Sequence, residues 1–462
     1  MKKIIMCLFM VLAVSCGSKT STIQNSEIKT AIKVDIDSIN PYKMVSAPTK
    51  EIMYNVYEGL LMPKEDGTLR PAIAKEYSID KDGKTYSFII RDNVYFHNGE
   101  KLTIKDVIFS LNKIKELKYQ KEFNNIVSIN ETKNPLEVSI VLKEPDSSFI
   151  YSLTTPIISE KTYDDLDKIE NGTGPYFVKK YTREHKLILN KFDKYYGDKA
   201  NIEVVDIDII PNVETIFLNF ISNKYNFLGS VDTKRLDDIK DKKIITYPEN
   251  MLFIMGINNK KFNLELRKSI VSAIDKKQII EKATNNYAIE LKSLKTNVDK
   301  ELVNDLTLDL KIPSNYKIYL DTAQVIKEQL SKHGIKVNII PQEFATWLKD
   351  VYTDRNYDIT LIALSGKLDK DSVYRRFTSD YKRNFLNYSN NEYDELIMLA
   401  KKTFDINKRD ELYEKAYEIL INDYASAFIM DPKIAVAMDK NITGYTTYTI
   451  PYVDFAKLKF GE

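Results

Sequence analysis

The chain has 462 residues, 29% of them charged and 43% hydrophobic, with 68 Lys and Arg against 66 Asp and Glu. That composition is ordinary for a globular protein, and the near-even charge argues against a nucleic-acid partner, which calls for a basic excess. The length exceeds the roughly 250–300 residues at which one hydrophobic core stops growing, so at least two lobes are expected.

Lys2 and Lys3 precede an apolar run from Ile4 to Val14, and small Ser15 stands before Cys16. The run is too short to span a bilayer and reads as a signal peptide over residues 1–15. Leu12-Ala13-Val14-Ser15-Cys16 resembles a bacterial lipobox, which implies cleavage before Cys16 and diacylglycerol on its sulfur. Two or more acyl chains suffice to hold a protein at a membrane. The chain is therefore expected in the cell envelope, lipid-anchored on the periplasmic or extracellular face. Cleavage removes Cys7 and lipid consumes Cys16, which excludes disulfides, thiol catalysis and cysteine metal sites.

Small polar residues from Gly17 to Ser26 suit a flexible tether over residues 16–27. Pro48 opens a predicted helix that carries Ile52, Met53, Val56 and Leu60 on one face, with Gly59 near its end. Tyr86 to Arg91 and Val94 to His97 read as strands after an Asp82-Gly83 turn. Thr103 and Asp106 have capping-box spacing ahead of Val107, Ile108, Leu111 and Ile114, so a helix starts there. Ala323, Ile326 and Leu330 form a helical stripe closed by Gly334, and Ile335, Val337 and Ile339 then alternate as a strand. Helices and strands mix throughout, which points to an α/β or α+β protein.

Catalytic signals are missing. The three histidines, His97, His185 and His333, lie far apart without metal-site spacing, and His97 reads as a hydrogen-bonded residue at a strand end. Gly172-Thr173-Gly174 runs into Pro175-Tyr176-Phe177, so the third glycine of a dinucleotide fingerprint is lacking, and there is neither a P-loop nor a nucleophile elbow. The chain is expected to be no enzyme and to carry no cofactor and no metal.

Several ordered segments carry a resemblance: Asp37-Ser38-Ile39-Asn40-Pro41, Val56-Tyr57-Glu58-Gly59-Leu60, Pro71 to Ala74, Asp82 to Phe88, the Phe96 to Gly99 turn and Thr103 to Ser110. Gly172 to Tyr176 with Asn190 and Tyr195-Tyr196, then Asn258, Arg267, Ala273 to Asp275 and Arg409 to Leu420, extend it. Together they resemble the family 5 extracellular solute-binding proteins, the oligopeptide, dipeptide and nickel binders of ABC importers. The resemblance implies an α/β, two-lobed periplasmic-binding-protein fold of type II, cluster C, with an extra inserted domain. Lobe I would comprise residues 28–46, 163–232 and 435–462, the inserted domain 47–162, and a shortened lobe II 233–434. The crossings would lie near Ser230 to Lys234 and Pro432 to Ala435.

It further implies a monomer that encloses a small-molecule or short-peptide ligand in the cleft and delivers it to an ABC permease. The ligand backbone would pair with Asp37 to Asn40 and Ile362 to Lys367. The cleft residues are then Asp37, Ser38, Asn40, Ile362, Ala363, Leu364, Ser365, Lys367 and Asp369. One departure stands out, because peptide binders similar to this chain carry a Gly-Trp and, three residues after the Trp, an Asp that holds the ligand ammonium. Here Leu364 replaces the indole and Lys367 the acid. Either Asp369 or Asp371 substitutes, or the ligand presents a carboxylate or phosphate to Lys367, since an ammonium against a lysine is repelled. The stretch from Ala283 to Tyr316 is also shorter than the family pattern, and nickel is disfavoured by the lack of a histidine near the cleft loop. Two other readings remain open, an anionic or glycan-like solute on the same fold, and a surface lipoprotein that contacts macromolecules.

Overall fold

The computed structural model describes residues 26–168, 170–293 and 306–461. The signal-peptide, tether and lipidation assignments, Cys16 included, lie outside these residues or at their edge.

Alternating apolar residues build three sheets, each with its own core. Glu27–Ile32 pairs in parallel with Val204–Ile209, with Ile28 opposite Val205 and Thr30 opposite Ile207. Lys186–Lys191 and Tyr176–Thr182 continue that sheet by antiparallel pairing. Its inward residues Ile28, Leu187, Leu189, Val205 and Ile207 are fully buried against Tyr176, Phe227, Val436 and Phe455. A second, antiparallel sheet is ordered Ala74–Ile79, Thr85–Ile90, Glu137–Leu142, Ile126–Glu131. Helix Ile104–Glu116 covers it, burying Val107, Leu111 and Ile114 with Phe88 and Ile140. That helix starts as its sequence predicts, with the Asp106 carboxylate accepting from the Thr103 N–H at 2.9 Å and hydroxyl at 2.7 Å.

The third sheet has eight strands and mixes directions, as expected when helices cover a parallel core and hairpins extend it. Leu306–Pro313 pairs in parallel with Ile335–Gln342 and with Ile359–Ser365, and helix Lys317–Ser331 supplies the crossover, its stripe of Ala323, Ile326 and Leu330 buried. Gly334 closes the helix at φ +77°, a left-handed conformation that suits glycine.

The two remaining local expectations differ from the structure. The first helix spans only Ala47–Met53, because the Asn55 amide donates to Ile52 O at 3.0 Å and to Val453 O at 2.8 Å and turns the chain away. Val56 and Leu60 follow in irregular backbone. Val94 to His97 forms no strand; a single bridge joins Tyr95 to Lys101, because Phe96 N–H pairs with Glu100 O across the turn at Gly99, where φ is +87°.

The segments carrying the resemblance meet in space. Glu58 is 1% exposed, and its carboxylate accepts from Tyr195 at 2.8 Å, Tyr196 at 3.0 Å and Thr173 at 3.3 Å. Gly172 packs against Val56, where an added Cβ would lie 2.0 Å from the Val56 carbonyl oxygen. His97 bonds the Glu170 carboxylate and the Gly174 carbonyl, so it is a hydrogen-bonded structural residue as expected, although it ends no strand. These residues are scaffold.

Two boundaries shift. Ile52, Met53, Val56 and Tyr57 pack into the first core, while the second core takes its buried residues from Leu60 to Leu166 and Tyr42 besides, so helix Ala47–Met53 packs with the first core and not with the inserted domain. Leu236 and Ile239 are buried beside Phe217 and Phe220, and Ile245 and Tyr247 lie against the first core. The chain therefore crosses between lobes at Glu249 and Asn250 and not at Ser230 to Lys234. Strand Ser426–Met438 makes the return crossing within its own length, pairing through Ser426 to Met430 with Met251–Ile257 and through Lys433 to Met438 with Lys243–Pro248. The Glu249 N–H donates to Pro432 O at 2.9 Å, which ties the two crossings together. Among the described residues no helix is long and apolar enough to cross a membrane.

Candidate functional site

The loop from Asp35 to Ser46 contributes Pro41 and Met44 to the lining of a cavity, and its polar residues are spent on its own shape. Asp37 accepts from the Val45 and Ser46 N–H groups, both at 2.8 Å. Partial burial raises its pKa, but these bonds and the Thr49 hydroxyl outweigh it and hold the carboxyl below the usual range. Ser38 accepts from the Asn40 N–H at 2.9 Å, and Asn40 accepts from the Tyr42 N–H at 3.1 Å while donating to Asp167 at 3.2 Å. Asn40 is buried. The loop exposes Asp37, Lys43 and Val45, the last at 82%, and leads into the helix that carries Lys50 and Glu51.

Strand Ile359–Ser365 belongs to the facing lobe, antiparallel to Met251–Ile257 with Leu252 opposite Leu364 and Met251 opposite Ser365. Leu364 points into the lobe core with Trp347, Phe377 and Phe385, at 3% exposure. Ile362 and Ala363 are half-buried, and the Ala363 N–H donates to the Tyr319 hydroxyl at 3.2 Å. Ser365 and Lys367 are exposed. Between them the Gly366 N–H donates to Asn250 O at 2.7 Å, and a Cβ there would lie 2.3 Å from the same oxygen, so the position accepts only glycine without movement. The Asn250 amide in turn donates to Thr449 O at 2.8 Å, across to the first lobe.

Asp369 turns away from this loop. Burial pushes its pKa up, while the nearby Ser148 and Arg409 oppose the shift. Asp371, 4% exposed, is pushed up to about 7 by burial and by the Asp369 charge. Both belong to a second place where the lobes touch: Arg409 donates to Ser147 O at 3.2 Å and to the Tyr151 hydroxyl at 2.6 Å, Lys401 lies 3.3 Å from Asp146, and the Ser147 N–H donates to Lys401 O at 2.8 Å. Asp369 is thereby set apart from the exposed Lys367 two residues before it.

Sequence reasoning passed over Lys50, Glu51, Glu249 and Tyr119. Lys50 lines a cavity of about 130 Å³ with Met44, Tyr54, Tyr119 and Gln120. Glu51 lines a more apolar one of about 490 Å³ with Ile52, Phe227, Ser230 and Ile434. The one available signal was two adjacent opposite charges in the first turns of a helix that follows the N-terminal motif. Among the described residues no group of three or more His, Cys, Asp or Glu side chains is placed to hold a metal.

Residues 68–305, about half the chain, match the model of the bacterial extracellular solute-binding proteins, family 5 Middle. The chain belongs to this family. The family 5 chain is 22% identical to the dipeptide-binding protein of Escherichia coli, over 88% of its own length and 90% of that protein. It is 23% identical to the nickel-binding protein NikA of Staphylococcus aureus, over 93% of each. Among solved structures, the substrate-binding protein CtaP of Listeria monocytogenes superposes with a TM-score of 0.81 at 23% identity, covering 94% of this chain and 99% of that one. A putative peptide-binding protein AppA from Clostridium difficile reaches 0.83 at 19% identity, covering 94% and 100%. The family 5 chain thus has the two-lobed fold of the periplasmic binding proteins, as its sequence implied, and its relatives are substrate-binding proteins of ABC importers.

Proposed function

We propose that this family 5 protein is the lipid-anchored, monomeric capture subunit of an ABC importer, that it encloses short peptides between its lobes, and that it hands them to a membrane permease without catalysing a reaction. The observation that carries the reading is the two-lobed fold itself, with Ser365 and Lys367 exposed on one lobe and a cavity of about 130 Å³ lined by Met44, Lys50, Tyr54, Tyr119 and Gln120 on the other. A ligand that pairs through its main chain binds with an affinity that depends little on its side chains. Relatives named for dipeptides and oligopeptides support the ligand class. A ligand touching both lobes favours the closed arrangement by its differential affinity.

Cys16 is the proposed lipidation site and anchor. Among the nine cleft residues inferred from the sequence, Ile362, Ala363, Ser365 and Lys367 are proposed as contacts. Asp37, Ser38 and Asn40 are proposed to shape the loop, with Leu364 as core and Asp369 as an interlobe residue. The purified protein, unfolded to release what it carries, should yield a ladder of mixed short peptides by mass spectrometry. A single non-peptide anion would overturn the peptide reading. That second reading is favoured by one observation, the exposed Lys367 at the position where the resemblance leads one to expect an acid, and predicts that Lys367→Asp abolishes affinity for the anion.

A further inference from the structure

Two cores of the first lobe fail to close on one another. Ile52, Phe227 and Phe455 belong to one and Ala31, Phe217 and Val231 to the other, and all six line a cavity of about 490 Å³. A gap of that size is far outside the packing of a closed interior. Its walls are two sheet edges, because Glu27–Ile32 and Phe227–Val231 are each the end strand of their sheet and do not pair with one another. Asn226 staples them at one end: its N–H donates to Lys29 O at 3.0 Å, and its side chain accepts from the Lys29 N–H at 2.8 Å and donates to Glu27 O at 2.9 Å. Beyond Lys29 the strands are unpaired and both line the cavity. Ala31, two residues further along the edge that Lys29 presents to Asn226, turns its N–H and C=O the same way.

The cavity reaches both the surface and the crossing between the lobes. Val34, 43% exposed, and exposed Ser230 stand at its rim. Ile434 lines it from the return crossing, two residues past the Pro432 carbonyl that accepts from Glu249, so the cavity lies at the foot of the cleft. Its charges cancel. Arg235 is spent on Glu214 at 2.6 Å and Asp238 at 2.7 Å, and Asp232 on the Lys234 N–H at 2.9 Å. Lys33 and Glu51 are the other charges in the lining, one of each sign, and burial with the Glu249 charge pushes Glu51 up to about 7. Such a lining favours neither an anion nor a cation. It favours an apolar group, since most of the rest is aliphatic or aromatic.

We propose that this cavity is the specificity pocket of the cleft and takes one bulky apolar or aromatic side chain of the bound peptide. About 150 Å³ suffices to hold a benzene ring in an apolar cavity. The cavity of about 490 Å³ therefore takes a phenyl or indole side chain with its flanking backbone, whereas the one of about 130 Å³ beside Lys50 takes a small side chain at most. This rests on the peptide reading above and adds the class of residue that the protein selects. Pairing through the main chain supplies an affinity common to all peptides, and the pocket supplies the choice among them.

The test is isothermal titration calorimetry on the full chain, stripped of ligand, with trialanine and the three tripeptides that carry one phenylalanine among alanines. Burial of the phenyl side chain should make at least one of the three bind about 10- to 100-fold more tightly than trialanine. At that position leucine should fall between alanine and phenylalanine, and glutamate and lysine should gain nothing over alanine, a series that needs no substitution in the protein. Gly229→Leu fills the pocket: a Cβ there meets only Val453 at 3.6 Å and Phe227 at 3.7 Å, and the backbone is not left-handed. Thermal melts should show that variant folded, with its phenylalanine advantage reduced to about twofold or less. Equal binding of the alanine and phenylalanine peptides by the unsubstituted chain would overturn the inference and leave the peptide reading in place. So would an advantage for glutamate or lysine, or a phenylalanine advantage that survives Gly229→Leu. Binding of none of the four tripeptides by the unsubstituted chain would overturn the peptide reading and the inference together.

Discussion

Arg409 offers the most direct check on how the lobes meet. It stands near the start of helix Ile406–Asn422, is 6% exposed, and reaches across to the inserted domain through Ser147 O and the Tyr151 hydroxyl, with its guanidinium 5.2 Å from the Tyr151 ring centre. Arg409→Met keeps much of the side-chain stem and removes the charge and the donors. Breaking a buried pair commonly costs about 3–5 kcal/mol because the partner is left charged and alone. Asp369 is already pushed toward protonation and can shed its charge, so the cost here should be nearer the 1–3 kcal/mol of unpaired buried polar groups, about 2–3 kcal/mol in all. Asp369→Asn alone should cost about 1 kcal/mol. The double variant should then fall short of the sum by roughly 1 kcal/mol, because the two charges act on one another. Urea unfolding followed by tyrosine and tryptophan fluorescence reads all four corners of the cycle. Small-angle scattering on the ligand-free chain should show a larger radius of gyration for Arg409→Met. Strict additivity, within about 0.5 kcal/mol, would refute the reasoning.

Other expectations concern single positions. Gly366→Ala forces a methyl to within 2.3 Å of Asn250 O, so thermal melts should show a loss of about 1–3 kcal/mol and a smaller ligand-induced shift. Asp371, pushed up to about 7 from an ordinary 3.8, holds a proton in the folded chain that the unfolded chain has released. Stability should therefore decline as pH rises from about 4 to about 7, and Asp371→Asn should flatten that slope in urea midpoints measured across the range. The Lys401 charge opposes this shift without reversing it, because burial and Asp369 outweigh it. Glu58→Gln replaces one of the carboxylate oxygens that receive three hydroxyls with an amide nitrogen; thermal unfolding should register about 1–3 kcal/mol of destabilisation. Cys16→Ser should move the protein from the detergent phase to the aqueous phase in a cloud-point partition, and retention in detergent would remove the anchor proposal.

Much of the architecture was legible because it rests on short-range rules. The Thr103 to Asp106 cap and the Ala323, Ile326, Leu330 stripe ending at Gly334 depend on periodicity and backbone sterics, which any chain segment carries with it. The order of the recurring segments likewise announced the two-lobed fold. The first helix ran too long in the sequence reading because Asn55 is stopped by Val453, nearly four hundred residues away, and no local pattern records that bond.

The sequence by itself determined which residues were small, capped, buried or left without a catalytic partner, and so determined the class of protein. Only the tertiary structure decided what the charges do. Lys50 and Glu51 are adjacent and would pass as a solvated pair, yet the helix turns them to two different cavities, Lys50 beside Tyr119 and Gln120 and Glu51 beside Phe227 and Ile434. Asp369, two residues beyond Lys367, turns instead to Arg409 and the inserted domain. Electrostatic meaning depends on distance through space and on the water removed when lobes meet, and neither is written in the spacing of residues along a chain.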